Sequence, residues 1–464
     1  MKPQHKLAGF ASTLAIAFFA VPALAEPTTM QNVMAVAIDS NPQIHQAEMN
    51  KQAIEFELEQ AKGLYLPRVT LELSAGVRRL ENSTRRALGI ANDELYPLEA
   101  GIRAEQTLID FGRRRGEKLR QAARVDGAAL RVVERSEFIA LQTARQYLDV
   151  LLQQRVVAAA EDNLSFHNSL VADLSSGVTA GSISVADLQQ AQERAKAASV
   201  RVSEAKEALQ NAKIELLALS GLQVDEVQMP PAMAEKLPVS LSEAVGLTRA
   251  KHPKVLEAQA DVDAANAEAK KAKGDFFPTI GLELSGRIGD DIDAFRGETN
   301  DLLGRVVMRW DIFDGGINRA KYQEMVRRAS ESRFRLHEAE RNAEADTRRA
   351  WNSRETQTAV FRDLVDQSKA TDELLVSYRD QFSVGRRSLL DVLDAQNTRF
   401  NVQVRAETAR FSEIFAGYQV LAATNSLLDA FNLTAAESRR VYAREDVGYG
   451  PPAPAELQRR RYPQ

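Results

Sequence analysis

The chain has 464 residues, 44% of them hydrophobic, with 60 basic against 64 acidic side chains and a formal net charge of −4. That balance gives no reason to expect a nucleic-acid partner, and a chain without cysteine has neither a disulfide nor a lipid-attachment thiol. Glycine and proline are sparse while alanine, glutamate, arginine and leucine dominate, which is the composition of long helices and coiled coils.

Residues 1–25 read as a secretory signal. Lys2 and Lys6 form a charged start, Leu14 to Ala23 is mostly apolar, and Ala23-Leu24-Ala25 supplies a small-x-small cleavage pattern. Without the two lysines, 58 basic residues face 64 acidic ones, a charge of about −6. The apolar run is too short to span a bilayer, and no other stretch holds the ~20 apolar residues a membrane helix needs. The expectation is an exported chain without a helical anchor.

The rest of the chain is written twice. Asn41 to Ser74 is answered by His252 to Ser285 at a spacing of 211, and the later segments repeat at 204. Asp110-Phe111-Gly112 matches Asp314-Gly315-Gly316, Tyr147 matches Trp351, and GSISVADLQQAQ from Gly181 matches GRRSLLDVLDAQ from Gly385. Units of this length are duplicated domain-sized blocks rather than solenoid turns. We therefore expect a first repeat at 26–221, a proline-containing linker at 222–238, a second repeat at 239–447 and a disordered tail at 448–464.

In the first repeat a helical stretch from Met30 to Lys62, interrupted at Asn41-Pro42, stops at Gly63. The pattern then switches to period two: Val69, Leu71 and Leu73 oppose Thr70, Glu72 and Ser74. After a polar stretch, Leu98, Ala100, Ile102 and Ala104 oppose Glu99, Gly101, Arg103 and Glu105. The second repeat does likewise, with Ile280, Leu282 and Leu284, then Val306, Met308, Trp310 and Ile312 against Arg305, Arg309 and Asp311. Strands are expected at about 68–79, 97–109, 279–289 and 303–313, each near the length of a tilted strand crossing a bilayer. A sheet with one wet face and one face on a soluble core fits any single strand. Two such hairpins with polar loops, in an exported chain without a globular core pattern around them, favour the membrane.

Downstream of each hairpin, Ser182 to Ser220 and Ile317 to Val384 contain neither glycine nor proline. Stripes such as Leu141, Ala144, Leu148, Leu151 and Ala205, Leu209, Ala212, Leu216 step by three and four, the spacing of packed long helices. Each helix pair reverses at a glycine-bearing tip turn, 175–184 in the first repeat and 383–388 in the second. The run Arg113 to Arg115 below a strand suits either acidic lipid headgroups or a solvated helix face. Trp310 and Phe313 suit either an aromatic girdle or an ordinary core. The five histidines are isolated, with no metal-ligand spacing, and no phosphate loop or Gly-x-Ser-x-Gly is present. Neither an enzyme nor a cofactor nor a metal is expected.

Four strands cannot close a barrel, and an open edge in lipid leaves backbone groups unpaired. The chain must pool strands with copies of itself: two copies give eight, three give twelve. Polar faces carrying Glu72, Arg103, Glu105, Arg305, Arg309 and Asp311 suit a water-filled lumen. At the tips, Ser184 and Ser388 are good helix caps with Asp187 and Asp391 three residues on. Asp391 and Asp394 share a helix face, so copies around one axis would stack their carboxylates in two rings.

The tandem halves, the helix–strand–loop–strand–helix order, the junctions DFGRR and DGGINRA, and the paired G-x-x-S-x-x-D-x-x-x-A-Q motif at Gly181 and Gly385 resemble the TolC family of outer-membrane channel proteins from about Met30 to Arg444. The resemblance implies a homotrimer with a 12-stranded β-barrel in the outer membrane, four strands per protomer, continued by a long periplasmic α-helical barrel with a mixed equatorial belt. It implies an exit duct for drug efflux or type I secretion, joined by a periplasmic adaptor to an inner-membrane ABC or RND transporter. It further implies that Arg387 pairs with Asp187 to hold the tip closed. The family's tyrosine is replaced here by Phe382, which cannot donate a phenolic hydrogen bond. The tip turns would dock the adaptor through Val178, Gly181, Ile183, Ser184, Val384, Gly385, Ser388, Leu389 and Leu390, the apolar ones exposed. The FSVGRRSLLDVLDAQ segment looks most like secretion-linked members, with multidrug efflux as the alternative. A periplasmic coiled-coil adaptor or scaffold would share the helices and tips but has no use for bilayer-length strands.

Overall fold

The structure is a computed structural model that describes residues 28–448, so the expected signal and nearly all of the expected tail lie outside the described residues. In chain order the first repeat comprises α1 (Met30–Ser40), α2 (Pro42–Gly63), β1 (Arg68–Ala75), β2 (Arg78–Arg79), α3 (Ser83–Ala87), β3 (Glu94–Leu95), β4 (Leu98–Ile109), α4 (Arg113–Thr179) and α5 (Val185–Ser220). The second comprises α6 (Leu241–Lys251), α7 (Pro253–Gly274), β5 (Thr279–Asp290), β6 (Glu298–Arg309), α8 (Ile317–Ser383) and α9 (Leu389–Ala423), followed by the short α10 (Leu427–Ala430) and α11 (Ala443–Asp446).

Two helices dominate. α4 and α8 are each 67 residues long, about 100 Å at 1.5 Å per residue. Their starts explain the matched DFG and DGG junctions. The Asp110 carboxylate accepts from the amides of Gly112 (3.2 Å) and Arg114 (2.8 Å), and Asp314 accepts from Gly316 (2.8 Å) and Asn318 (2.7 Å). Each aspartate satisfies donors that a helix N-terminus leaves open. Gly112 and Gly316 supply the left-handed turn, with φ of +96° and +89°. Of the three arginines that follow Gly112, the first two are committed locally. Arg114 donates to Asp110 and to the carbonyls of Thr107 and Leu108, and Arg113 pairs with Asp275.

The half-length helices stack alongside the long ones. α4 packs against α2, α5, α7 and α9, and α8 against α7 and α9. Small residues permit this closeness: a side chain at Gly116 would fall 2.9 Å from the backbone of Lys271 on α7. The main hydrophobic cluster lies at mid-height, where α1, the middle of α4 and the ends of α5 and α9 meet the linker and α10 around Met34, Tyr147, Leu216, Val227, Tyr418 and Phe431. Tyr147 is fully buried, its hydroxyl 2.7 Å from the carbonyl of Gln228, and so ties the linker to α4. The last segment is strapped across the helices. Asp126 accepts from the amides of Tyr442, Ala443 and Arg444, and the Arg444 guanidinium spans Asp126 (2.8 Å) and Asp263 (2.7 Å).

The four long strands form one antiparallel sheet in the order β1-β4-β5-β6, so the two hairpins are joined through β4 and β5 into a continuous surface. The sheet departs from expectation at three strand ends. β1 ends at Ala75, and Arg78–Arg79 pairs instead with Glu94–Leu95 in a small separate ribbon. β6 starts five residues early, at Glu298, because the acidic segment has partners: Asp301 lies opposite Arg287 and pairs with it at 3.2 Å. It also ends early, at Arg309, because its partner Thr279 opens β5 just after Pro278, which has no amide to donate. At the far end of the sheet the two hairpin loops are bolted together by Arg85. Its buried guanidinium donates to the carbonyls of Ile90 (2.7 Å) and Asp93 (2.9 Å) in its own loop and to Ala294 in the other.

Beneath the sheet, Glu117 of α4 binds Lys271 of α7 at 2.9 Å, together with Arg120 (2.6 Å) and Gln121 (2.9 Å). Burial alone would raise this carboxyl, but the hydrogen bonds from Arg120, Lys271 and Gln121 outweigh it and hold the group at about 2. A depressed carboxylate stabilises the fold at pH above its ordinary value of 4.5, and loses that contribution as the pH falls towards 2. Glu117→Gln should therefore be less stable than the parent at neutral pH, with the difference shrinking between those two values, as read by thermal unfolding in detergent.

Candidate functional site

Residues directly opposite one another in an antiparallel sheet share a face, so the strand register sorts the strand side chains without ambiguity. One face carries Thr70 and Glu72 of β1, Glu99, Arg103 and Glu105 of β4, Glu283, Ser285 and Arg287 of β5, and Asp301, Arg305 and Arg309 of β6. The other carries Val69, Leu71, Leu73, Leu98, Ile102, Leu282, Leu284, Ile288, Leu302, Val306 and Met308. Five of the six expected lumen residues thus fall on one polar surface. Asp311 does not; it lies beyond the end of β6 in the junction leading to α8, for the reason given above. Sequence reading missed the centres of this surface. Glu283 binds both Arg305 (2.8 Å) and Arg309, while Arg287 reaches Asp293 (3.0 Å) and Asp301 (3.2 Å). Both lie on the polar side of the alternation already recognised, which was the available signal. Trp310 and Phe313, just past β6, are exposed in the single chain, and the Trp310 indole donates to the Phe276 carbonyl at 3.2 Å.

At the opposite end of the long helices lie the two tip turns. α4 ends at Thr179 and α8 at Ser383, so each turn is only about five residues long. Gly181 (φ +75°) and Gly385 (φ +74°) provide the left-handed step, and the amides of Ser182 and Arg386 bond back to Gly177 (2.9 Å) and Gln381 (2.8 Å). Ser184 and Ser388 then cap the returning helices, and each hydroxyl donates to the aspartate three residues on, Asp187 (2.7 Å) or Asp391 (2.8 Å). The hydrogen bonds from the Ser388 hydroxyl and then its amide, with the charge of Arg387, hold the Asp391 carboxyl below its usual range.

The two tips lie side by side in one chain. Leu174 and Ala191 of the first pack with Leu389 and Leu393 of the second, with Ile183 and Phe382 at the margin. Leu389 is 4% exposed, which corrects its expected place on an exposed docking surface: as the first residue of α9 it faces the neighbouring hairpin. Val178 and Ile183 are half-buried, whereas Val384, Leu390 and Val185, the last not anticipated, stand in solvent. Within the chain Arg387 does not meet Asp187. Its guanidinium lies 4.2 Å from the centre of the Tyr378 ring, donates to Gln381 at 3.0 Å and approaches Asp391 at 3.8 Å. Tyr378 was also missed; it stands one helical turn before Phe382 and so shares its face. Asp394 is exposed, and Gln396, from the end of the tip motif, is fully buried and donates to Asn163 of α4 at 2.8 Å.

Long helices running from a small amphipathic sheet to a pair of apposed capped tips are a shape shared with known proteins. Residues 33–222 and 244–441 match the family model described as outer membrane efflux protein. The chain belongs to that family. It is 24% identical over 400 residues to the outer membrane efflux protein BepC of Brucella suis, covering 86% of each chain. It is 22% identical over 239 residues, about half of each chain, to the alkaline protease secretion protein AprF of Pseudomonas aeruginosa. Its fold superposes on the Campylobacter jejuni CmeC outer membrane channel with a TM-score of 0.75 at 13% identity, covering 96% of this chain and 98% of that one. The protein is therefore an outer-membrane channel of TolC-like fold, with its helical body in the periplasm.

In an outer-membrane channel the apolar sheet face is the one suited to lipid. An arginine there costs about 2–4 kcal/mol near mid-bilayer, and far less on the opposite face. Leu71→Arg should accordingly destabilise the inserted protein by about that amount, whereas Ser74→Arg, on the polar face opposite Glu99, should cost clearly less. Denaturant unfolding from lipid vesicles separates the two, and equal costs would contradict the assignment of faces.

Proposed function

We propose that this protein is the outer-membrane exit duct of a tripartite export system, a passive channel that closes at its periplasmic tip. The observation that carries the reading is the single continuous sheet with two unpaired edges. Three chains joining β6 of one to β1 of the next give twelve strands, enough to enclose a wet lumen lined by Glu72, Arg103, Glu105, Arg305 and Arg309, whereas eight strands leave an interior filled by side chains. The energy for transport comes from an inner-membrane ABC or RND transporter, reached through a periplasmic adaptor. The adaptor seats on the tip turns at Val178, Gly181, Ile183, Ser184, Val384, Gly385, Ser388 and Leu390, with Val185 added by its exposure.

The tip is the gate. Around a three-fold axis Asp391 and Asp394 form stacked acidic rings that favour cations and oppose anions. Arg387, which finds no partner on the first tip of its own chain, is placed on the exposed turn where a neighbouring subunit's Asp187 could take it up. Tyr378 stacks on the guanidinium and supplies an aromatic contact near the position where Phe382 lacks a hydroxyl. The cargo we favour is a polypeptide exported by type I secretion, on the resemblance of the FSVGRRSLLDVLDAQ segment and the likeness to AprF. Small-molecule efflux is the second reading, supported by the likeness to BepC. Deleting the gene distinguishes them: loss of an extracellular protein with unchanged drug tolerance supports secretion, and the reverse supports efflux.

The gate has its own test. Asp187→Ala combined with Arg387→Ala should raise single-channel conductance in planar bilayers severalfold and admit large antibiotics. Conductance equal to the parent's removes these two residues from the closing mechanism.

A further inference from the structure

The two repeats join their half-length helices differently, and the difference leaves a cavity. In the first repeat, where α5 ends and α2 begins, Asn41 closes the joint. Its Oδ1 accepts from the Gln43 amide (2.9 Å), its Nδ2 donates to the Leu219 carbonyl (3.0 Å), and Ser40 adds a bond to Ser220 (3.0 Å). In the second repeat the equivalent position is His252, whose side chain makes no capping bond to α7. Here a space of about 470 Å³ opens between α4, α7, α8 and α9, within the size range of small-molecule sites.

Three buried polar atoms at this space have no hydrogen-bond partner: Glu137 Oε2, His252 Nδ1 and Asn425 Oδ1. Glu137 is 7% exposed, and its other oxygen accepts a long bond from the Leu428 amide, at 3.4 Å. The remaining charged groups lining the space are already matched, Glu134 with Lys254 (3.2 Å) and Asp346 with Arg349. Glu137 is the one lining carboxylate without a cation among the described residues. Apolar wall comes from Phe138, Leu141, Ala350, Ala422 and Ala423, with Ser353 and Gln419 as the remaining polar lining. Such an arrangement is costly when empty, because an unsatisfied buried polar group loses its hydration without compensation.

We propose that this cavity binds a small organic amine as its ammonium ion. An ammonium offers three donors and no acceptor, which suits a carboxylate, a neutral imidazole nitrogen and an amide oxygen. Its alkyl or aryl body lies against the apolar walls, and the bound molecule bridges α4 to the α7–α9 joint. Burial, with a smaller push from Asp429, lifts Glu137 to about 8 against the pull of the Leu428 and Leu427 amides, so the empty site holds it protonated near neutrality. Burial and then the charge of Lys254 keep His252 below its usual range, hence neutral and able to accept. The ammonium displaces the Glu137 proton, and binding strengthens from pH 6 to 8.

The test uses the full-length protein purified in detergent, with 2-phenylethylamine as probe and 2-phenylethanol as its uncharged counterpart, by titration calorimetry. The amine should bind at least tenfold more tightly than the alcohol. Glu137→Gln should cost at least tenfold in amine affinity, and His252→Phe severalfold, so the outcome does not depend on one variant folding. Equal binding of amine and alcohol, no binding of the amine, or undiminished binding by Glu137→Gln would each overturn the proposal; the second would leave a cavity filled by water alone. None of these readouts involves conductance or cargo, so the proposal and the duct reading stand or fall separately.

Discussion

A four-stranded sheet in lipid is unfinished. Every backbone donor and acceptor along its two edges needs a partner, and a bilayer core offers none. In this protein the edges are β1 and β6, and nothing else among the described residues covers them. That single constraint sets the rest. It forces several chains into one barrel, and on the duct reading proposed above the polar face, with its Glu283–Arg305 and Arg287–Asp301 pairs, lines the common axis. It also makes each pair of 67-residue helices a stave in a wall rather than part of a self-contained bundle. The many charged side chains of α8, set between short apolar stripes, fit this arrangement. A stave between water-filled spaces needs apolar contacts only along its flanks.

The duplicated plan then diverges where the halves do different work. Tyr147 is buried and anchors the linker, whereas its counterpart Trp351 is half-exposed and its indole donates to Glu355 at 2.8 Å. One hairpin loop contains a short helix and the small ribbon, the other is a turn of seven residues from Asp291 to Gly297, and Arg85 of the first holds them together. Asn41 closes the joint in the first repeat, and His252 leaves it open in the second.

Much of this was legible before any coordinates. Alternation over six to eight residues reports the two faces of a strand directly, so the polar and apolar surfaces could be read from Val69–Ser74 and Leu98–Glu105. The glycine and serine of each tip motif have local reasons, a left-handed step and a helix cap, and such reasons show in sequence. Strand ends did not show, because they depend on the partner strand: Pro278 stops β6 at Arg309 from across the sheet, and Arg287 draws Asp301 into a strand that reads as an acidic loop. The packing of Leu389 was hidden for the same reason, since only the neighbouring hairpin makes that position interior. The unsatisfied trio at Glu137, His252 and Asn425 spans 288 positions of chain from first to last and has no sequence signal at all.

Cross-linking between the edge strands bears most directly on the central claim. The chain has no cysteine, so one cysteine placed in β1 and one in β6 are unique reporters. Within a chain these strands are three steps apart, about 14 Å at about 4.8 Å per strand, which is beyond the reach of a disulfide. Scanning positions along Arg68–Ala75 against Glu298–Arg309 in native membranes should find a register that yields covalently closed rings of three chains. Rings of two chains, or monomers at every position, would contradict the account.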